Sequence, residues 1–402
     1  MSEQTDILVI GGGLVGTSLA IALDAAGLDA TLVEASPPRA AGGSSYGERN
    51  LALARATVNG LRAIGVWSHA EAGATPIRHI HVSRAGDFGS TRIDARAMGL
   101  DAVGWTLPAR ELGLALQARL ASCERLQRRV PARLQRLERN EDGWVAQVEA
   151  EGDTRVINAR LLVGADGTGS AVRNALGMGT DEYDYAQTLF VCTVTPSRAP
   201  EGRAFERFSD EGPVALLPLA GDRAGLVLTV AAAQAEAVSA LDDAAFIALA
   251  QRRFGWRLGR LQRPGKRHPY PIRRVAADRV TGPRAVLVGN AAQTIHPIGA
   301  QGFNLGLRDA LTLAEMVADH EDPGAPGLLE AYAARRAPDR DGVMAMSHGL
   351  VRLACLAQPE LSPLRSLGLL TVSALPLLHQ RVALHGMGFR GRPPQAVLEA
   401  TP

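Results

Sequence analysis

Three stretches of the chain carry residue types at spacings suited to holding a phosphorylated cofactor. The first is Gly11-Gly12-Gly13-Leu14-Val15-Gly16, with Glu34 18 residues beyond Gly16. Gly11, Gly13 and Gly16 permit a sharp turn and a close approach of backbone to a pyrophosphate, and a helix opening there offers unpaired N–H groups to the anion. Glu34 can accept both hydroxyls of an adenosine ribose and repels a 2′-phosphate, so a flavin dinucleotide or NAD suits this pocket better than NADP. The second stretch is Gly164-Ala165-Asp166-Gly167-Thr168-Gly169-Ser170, with Arg173 three residues on. The third runs from Gly289-Asn290 through His296-Pro297 and Gly299-Ala300-Gln301-Gly302-Phe303-Asn304 to Asp309. His296, with Pro297 beside it, is the candidate for proton transfer, although a His-Pro at a turn is more often a conformational or hydrogen-bonding element.

Such loops need strands and helices to hold them. Asp6 to Ile10 reads as a strand, the residues through Leu23 as a helix, and Ala30 to Glu34 as a second strand. From Arg129 to Val163, three alternating runs separated by Asn140-Glu141-Asp142-Gly143 and Glu151-Gly152-Asp153 read as a β-meander. Ile157 to Val163 ends in the second stretch and Ala285 to Val288 in the third. Ligands in an open α/β sheet gather at the carboxyl ends of strands, so the three loops outline one crevice. Thr188 to Thr195, Arg203 to Phe208, Val214 to Leu219 and Gly225 to Val230 read as strands without intervening helices, which predicts a separate antiparallel sheet. The expected division is an α/β, Rossmann-like dinucleotide-binding domain over 1–78, 104–182 and 276–346, a substrate-binding sheet over 79–103 and 183–275, and a helical tail over 347–402. That tail reads as short helices interrupted by Pro359, Pro363 and Pro376, with a loose end at 390–394.

Composition narrows the choice further. A chain of 402 residues with 46% hydrophobic and 21% charged residues can bury a core large enough for two packed domains. Net charge is only +2, far from the dense positive field that nucleic-acid binding requires. Cys123, Cys192 and Cys355 are odd in number and widely spaced, which predicts neither disulfides nor a metal knuckle and fits a reducing cytoplasm. No export signal is read at the amino end. The longest apolar run, Leu367 to Leu378, contains Pro376 and falls short of a spanning helix.

The second stretch matches the G-A-D-G-x-x-S-x-x-R pattern of the class A flavoprotein monooxygenases, the p-hydroxybenzoate hydroxylase superfamily, at every fixed position. The third is similar to their G-D-A-A-H-x-x-x-P-x-x-G-Q-G-x-N-x-G-x-x-D signature. Asn290 stands for the usual Asp, and Ala300 stands where many relatives have Gly, with Gly299 one place earlier. Gly-Asn-Ala-Ala-Gln-Thr and Gln-Gly-Phe-Asn-Leu-Gly most resemble the 2-polyprenyl-6-methoxyphenol hydroxylases of ubiquinone synthesis.

That resemblance implies a tightly bound FAD in a glutathione-reductase-type domain. Asp166 and Gly167 would lie near its pyrophosphate and ribityl chain. Asn290 would bond the ribityl hydroxyls, while Gly299, Gln301, Gly302 and Asn304 would form the turn facing the flavin. Arg49 would approach the diphosphate, and Arg110, opening the helix Glu111 to Leu120, would sit against the cofactor. The implied reaction is ring hydroxylation of a polyprenylated phenol with NAD(P)H and O₂ through a flavin C4a-hydroperoxide, the NAD(P)H binding transiently. Implied partners are the phenol, other ubiquinone-synthesis proteins and the cytoplasmic face of a membrane, touched peripherally near Leu367 to Leu378. No metal and no nucleic acid are expected. Alternatives are a hydroxylase of another aromatic or ring position, and a flavin-binding subunit without turnover. Trp67, Trp105, Trp144 and Trp256 are isolated and Lys266 is the only lysine, which speaks against a flavin halogenase.

Overall fold

The computed structural model describes residues 2–36, 49–355, 360 and 362–398. Its first sheet runs Thr281–Gly282, Ala285–Leu287, Asp153–Gly164, Ser2–Ile10, Ala30–Val33, Leu126–Arg129, parallel except at the Thr281–Gly282 edge. Ile7, Leu8 and Val9 are fully buried in sequence, as a parallel strand covered on both faces must be. Arg133–Arg139 and Trp144–Ala150 extend Asp153–Gly164 as an antiparallel meander. Register brings the carboxyl ends together, with Ile10 beside Val33 and Gly164, and Gly164 beside Leu287.

The second sheet has nine strands. It runs Gln293–Thr294, His268–Ala277, Thr180–Pro196, Ala224–Ala231, Val214–Pro218, Arg203–Phe208, His79–Arg84, Ser90–Asp94, with Leu261–Gln262 attached to Thr180–Pro196. It is antiparallel except where Arg203–Phe208 meets His79–Arg84 in parallel. One face packs on the helix Asp243–Phe254 through Phe190, Leu226, Leu228, Phe246 and Phe254. The other turns toward the crevice of the first sheet. The fold is thus mixed α/β with parallel and antiparallel sheets and a helical carboxyl-terminal region.

Two expectations about that region need correction. Residue 347 begins no new segment, because the helix Pro326–Ala354 passes through it unbroken. Residues 390–394 are not loose: Arg335 donates to the carbonyls of Arg392 (3.3 Å) and Pro393 (3.2 Å), and Val397 is fully buried beyond them. Carbonyls outside a helix need donors, and an arginine of the neighbouring helix supplies them. Pro376 starts a helix: Ser362–Ala374 and Pro376–Gly386 meet at 93°. Among the described residues no single helix is long and apolar enough to cross a membrane, although this bent pair is long and apolar enough when taken together.

Candidate functional site

Gly11 has φ +106°, and a Cβ there would sit 2.6 Å from the carbonyl oxygen of Ala165. A Cβ on Gly16 would lie 1.9 Å from the Gly11 carbonyl oxygen. A Cβ on Gly13, in contrast, meets nothing within 4 Å, because it projects into the open crevice. The helix Leu14–Ala25 therefore starts pressed against its own turn, and among the described residues no side chain caps its first N–H groups. Glu34 fixes the turn from the neighbouring strand, its carboxylate accepting from the N–H groups of Gly12 (2.6 Å) and Ser36 (2.7 Å).

The loops after Gly164 and Val288 are tied together. Arg173, buried, donates to the carbonyls of Ala291 (3.0 Å) and Thr168 (2.8 Å), and the hydroxyls of Thr168 and Thr294 lie 2.8 Å apart. Asp166 does not line the cavity: its carboxylate accepts from the Ser170 hydroxyl (2.5 Å) and the Val172 N–H (3.1 Å), capping the short helix Ala171–Ala175. Its neighbours Ala165 and Gly167 do line the cavity, as does Asn290.

Gly299 (φ +66°) and Ala300 (φ +51°) are both left-handed, so the turn needs two such residues in succession. Ala300 pays roughly 1–2 kcal/mol that a glycine would not. The helix Gln301–Ala318 begins immediately after, again with no side-chain cap among the described residues, and a Cβ on Gly302 would point into open cavity. Gln301 and Asn304 lie behind the turn. Gln301 donates to the carbonyls of Gly299 (3.2 Å) and Gly386 (3.3 Å). Asn304 accepts from the Ala54 N–H (2.9 Å) and the Thr57 hydroxyl (2.6 Å) and donates to the Ala52 carbonyl (2.9 Å), clamping Asn50–Ala54 to the helix.

His296 lines the cavity but is 1% exposed. The Ile298 N–H reaches its Nδ1 (3.2 Å), so Nδ1 accepts and Nε2 carries the hydrogen toward the Gln187 oxygen (3.2 Å). Burial pushes the imidazole down to about 4, which keeps it neutral. With its lone pair engaged and its basicity lowered, the ring holds the turn and is poorly placed to accept a proton. Pro297, with φ −69°, completes that turn at the cavity wall.

All of these loops open on one cavity of about 780 Å³, large enough for a dinucleotide's reactive end and an aromatic ring. Gly12, Glu34, Gln117 and Arg128 line one part, Pro297 to Ala300 and Gly302 another, and the second sheet closes it. The Arg49 guanidinium reaches the wall and lies 5.3 Å from the centre of the Tyr270 ring. Arg110 turns away and pairs with Glu111 (2.8 Å) in solvent. One face of its helix does reach the cavity, through Gln117 and Leu120, and the seven-residue spacing from Arg110 to Gln117 is the signal that would have found it. Glu206 on the second sheet was also missed.

A parallel sheet with glycine-rich loops at its carboxyl edge, roofed by an antiparallel sheet over a half-open cavity, is the architecture of a dinucleotide-dependent flavoprotein oxidoreductase. The two uncapped helix ends, the unobstructed glycines at 13 and 302 and the carboxylate at 34 fit an FAD. The chain belongs to the FAD-binding domain family, which matches residues 4–347. It is 36% identical to the ubiquinone hydroxylase UbiL of Rhodospirillum rubrum over 96% of this chain and 90% of that one. It is 30% identical to the 3-demethoxyubiquinol 3-hydroxylase of Escherichia coli over 96% of this chain and 99% of that one. Among solved structures, the p-nitrophenol 4-monooxygenase PnpA of Pseudomonas putida DLL-E4 shares the fold at a TM-score of 0.79 and 18% identity, over 97% of this chain and 99% of that one.

Proposed function

We propose that this chain is an FAD-dependent monooxygenase that hydroxylates the aromatic ring of a polyprenylated phenol in ubiquinone biosynthesis. Overall, the ring C–H, O₂, NAD(P)H and a proton become the ring C–OH, water and NAD(P)⁺. The observation that carries the reading is the single cavity that joins a dinucleotide cradle to an apolar sheet wall. Bound FAD supplies the redox chemistry, accepting hydride from NAD(P)H and activating O₂ toward an electron-rich ring.

The chain's residues bind, orient and seal. Glu34 receives the adenosine ribose, and the turn Gly11 to Gly16 with the first N–H groups of Leu14–Ala25 receives the pyrophosphate. Gly167 and Asn290, which line the cavity, would hold the ribityl chain, and Arg49 would add positive charge there. The turn Gly299 to Gly302 and the amino end of Gln301–Ala318 would favour negative charge on a ring held against them. Asp166, Gln301 and Asn304 position these loops from behind, and the second sheet keeps water from the reacting atoms.

Purified yellow protein given a short-chain polyprenyl methoxyphenol is expected to oxidise NAD(P)H faster than without it and to place labelled oxygen from O₂ on the ring. Flavin bound without turnover would instead mark a non-catalytic subunit.

A lipid-soluble substrate implies contact with a bilayer. Leu364, Leu367 and Leu377 are 62%, 59% and 79% exposed on the bent helix pair. Residues 362–398 contain no Asp or Glu but do contain Arg381, Arg390 and Arg392. An exposed apolar surface with basic flanks suits an anionic phospholipid surface. Leu364→Ser, Leu367→Ser and Leu377→Ser together are expected to reduce flotation with anionic vesicles by about 10-fold or more, given the apolar area removed. Unchanged flotation would rule this surface out.

A further inference from the structure

The sheet wall of the cavity is apolar apart from a few groups, and one of them has no work inside the protein. Along the inward face a cross-strand row reads Val82, Glu206, Ala215, Val227, Val191. Ala204 and Phe208 flank Glu206 on its own strand, both buried. Glu206 is one of two carboxylates lining the cavity among the described residues. The other, Glu34, lies at the glycine turn of the first sheet and already accepts from two backbone N–H groups. Among the described residues no hydrogen bond or ion pair is made to Glu206. Water reaches the carboxyl from the cavity, yet protein encloses it, and that burial pushes it up to about 8. Thr229, on the same face and also lining the cavity, is fully buried, and its hydroxyl has no partner among the described residues.

A half-buried carboxyl set in an apolar wall with no protein partner is costly, so a site that keeps one is built for a ligand that supplies the partner. We propose that Glu206 receives the ring hydroxyl of the aromatic substrate and takes its proton. In that step the phenol O–H bond breaks as a bond from hydrogen to the Glu206 carboxylate oxygen forms, and the electron pair stays on the phenol oxygen as phenolate. The phenolate raises electron density on the ring, which favours attack on electrophilic oxygen. A base poised near the working pH is the effective kind. Cys355 lies near Glu206, with Arg84, Asp210 and Arg253 around it, and the cavity is also lined by the neutral His296, Arg49, Arg128, Tyr270 and Arg273. None of them carries a carboxylate into the cavity. The inference rests on the reading of the chain as a phenol hydroxylase.

The test uses flavin-loaded full-length protein, a short-chain polyprenyl methoxyphenol and the methyl ether of that phenol. In wild type kcat is expected to rise with pH through about 8. Glu206→Gln is expected to lower kcat by about 100-fold with KM little changed and to flatten that profile, and Glu206→Asp to recover part of the rate. Binding, followed by the change in flavin absorbance, should favour the phenol over its ether by about 10-fold in wild type and in Glu206→Gln, whose amide oxygen still accepts from the hydroxyl, and not in Glu206→Leu, since a site built to bond a hydroxyl rejects the analogue lacking one. Wild-type rate and profile in Glu206→Gln would overturn the assignment. So would equal binding of phenol and ether by wild type, a measurement that needs no variant to fold. Wild-type protein that binds the phenol but forms no product would overturn the hydroxylase reading itself.

Discussion

Gly16→Ala is expected to yield protein that retains little flavin. The added methyl would stand 1.9 Å from the Gly11 carbonyl oxygen and 3.1 Å from the Ala165 Cβ. Neither neighbour is free to yield. The Gly11 N–H donates to the Val33 carbonyl (2.8 Å) and the Ala165 N–H to the Ile10 carbonyl (2.8 Å), so both loops are fastened to the sheet. Relief must come from the helix Leu14–Ala25 moving outward, which carries its first N–H groups away from the pyrophosphate. An affinity loss of about 100-fold, near 3 kcal/mol, is the expected scale. Gly13→Ala separates binding from folding, because its methyl enters open space. That variant, freed of flavin, should melt like flavin-free wild type and still bind flavin poorly, since the methyl occupies the room the phosphates need. Flavin-to-protein absorbance ratios and thermal melts of the two variants check this, and a fully flavinated Gly16→Ala with an unchanged melt would show that the helix can slide at no cost.

The glycine loops were legible in the sequence because they act through what they lack. A missing Cβ at 11, 13 or 16 has one set of uses, and the order strand, turn, helix, strand fixes which. Side chains on regular elements were harder to read. In Ala204-Phe205-Glu206-Arg207-Phe208 alternation places Glu206 with Ala204 and Phe208, and a carboxylate in such a run reads as solvent-facing unless the strand is known to be covered on both faces. Arg110 was read as touching the cofactor from its place at the start of a helix, yet it is Gln117, on the same face two turns further along, that reaches the cavity. Asn304 stood out through its motif, but the motif does not reveal that its amide faces the strand Asn50–Ala54 and not the cavity. The segment 390–394 reads as loose because arginine, glycine and proline form no periodic pattern, while its docking depends on Arg335, more than fifty residues away.

Asp339→Ala is expected to destabilise the protein by about 3–5 kcal/mol, because it strips the shared acceptor from two fully buried arginines. The Asp339 carboxylate accepts from Arg308 Nε at 2.7 Å and from Arg336 Nη2 at 2.7 Å, and all three side chains are 2% exposed or less. Arg336 also reaches Asp309 (2.8 Å), which accepts from Gln293 (2.6 Å) in turn. Burial by itself would push the Asp339 carboxyl up, but Arg308 and Arg336 outweigh it and hold it below its usual value. A depressed carboxylate stabilises the fold above its unfolded value and loses that contribution as pH falls, so the cost of Asp339→Ala should shrink in acid. Removing a matched pair tests the electrostatic origin: with Arg308→Leu added to Asp339→Leu, Arg336 keeps Asp309 and much of the stability should return. A cost below about 1 kcal/mol for Asp339→Ala, the size of an exposed ion pair, would contradict this account. The network also bears on the cavity, since Arg308 Nη1 donates to the Asn304 carbonyl (3.1 Å) and lies on the helix Gln301–Ala318 whose first turn forms the cavity wall. Flavin retention should therefore fall with stability in Asp339→Ala, whereas the exposed pair Arg110–Glu111 can be removed without either effect.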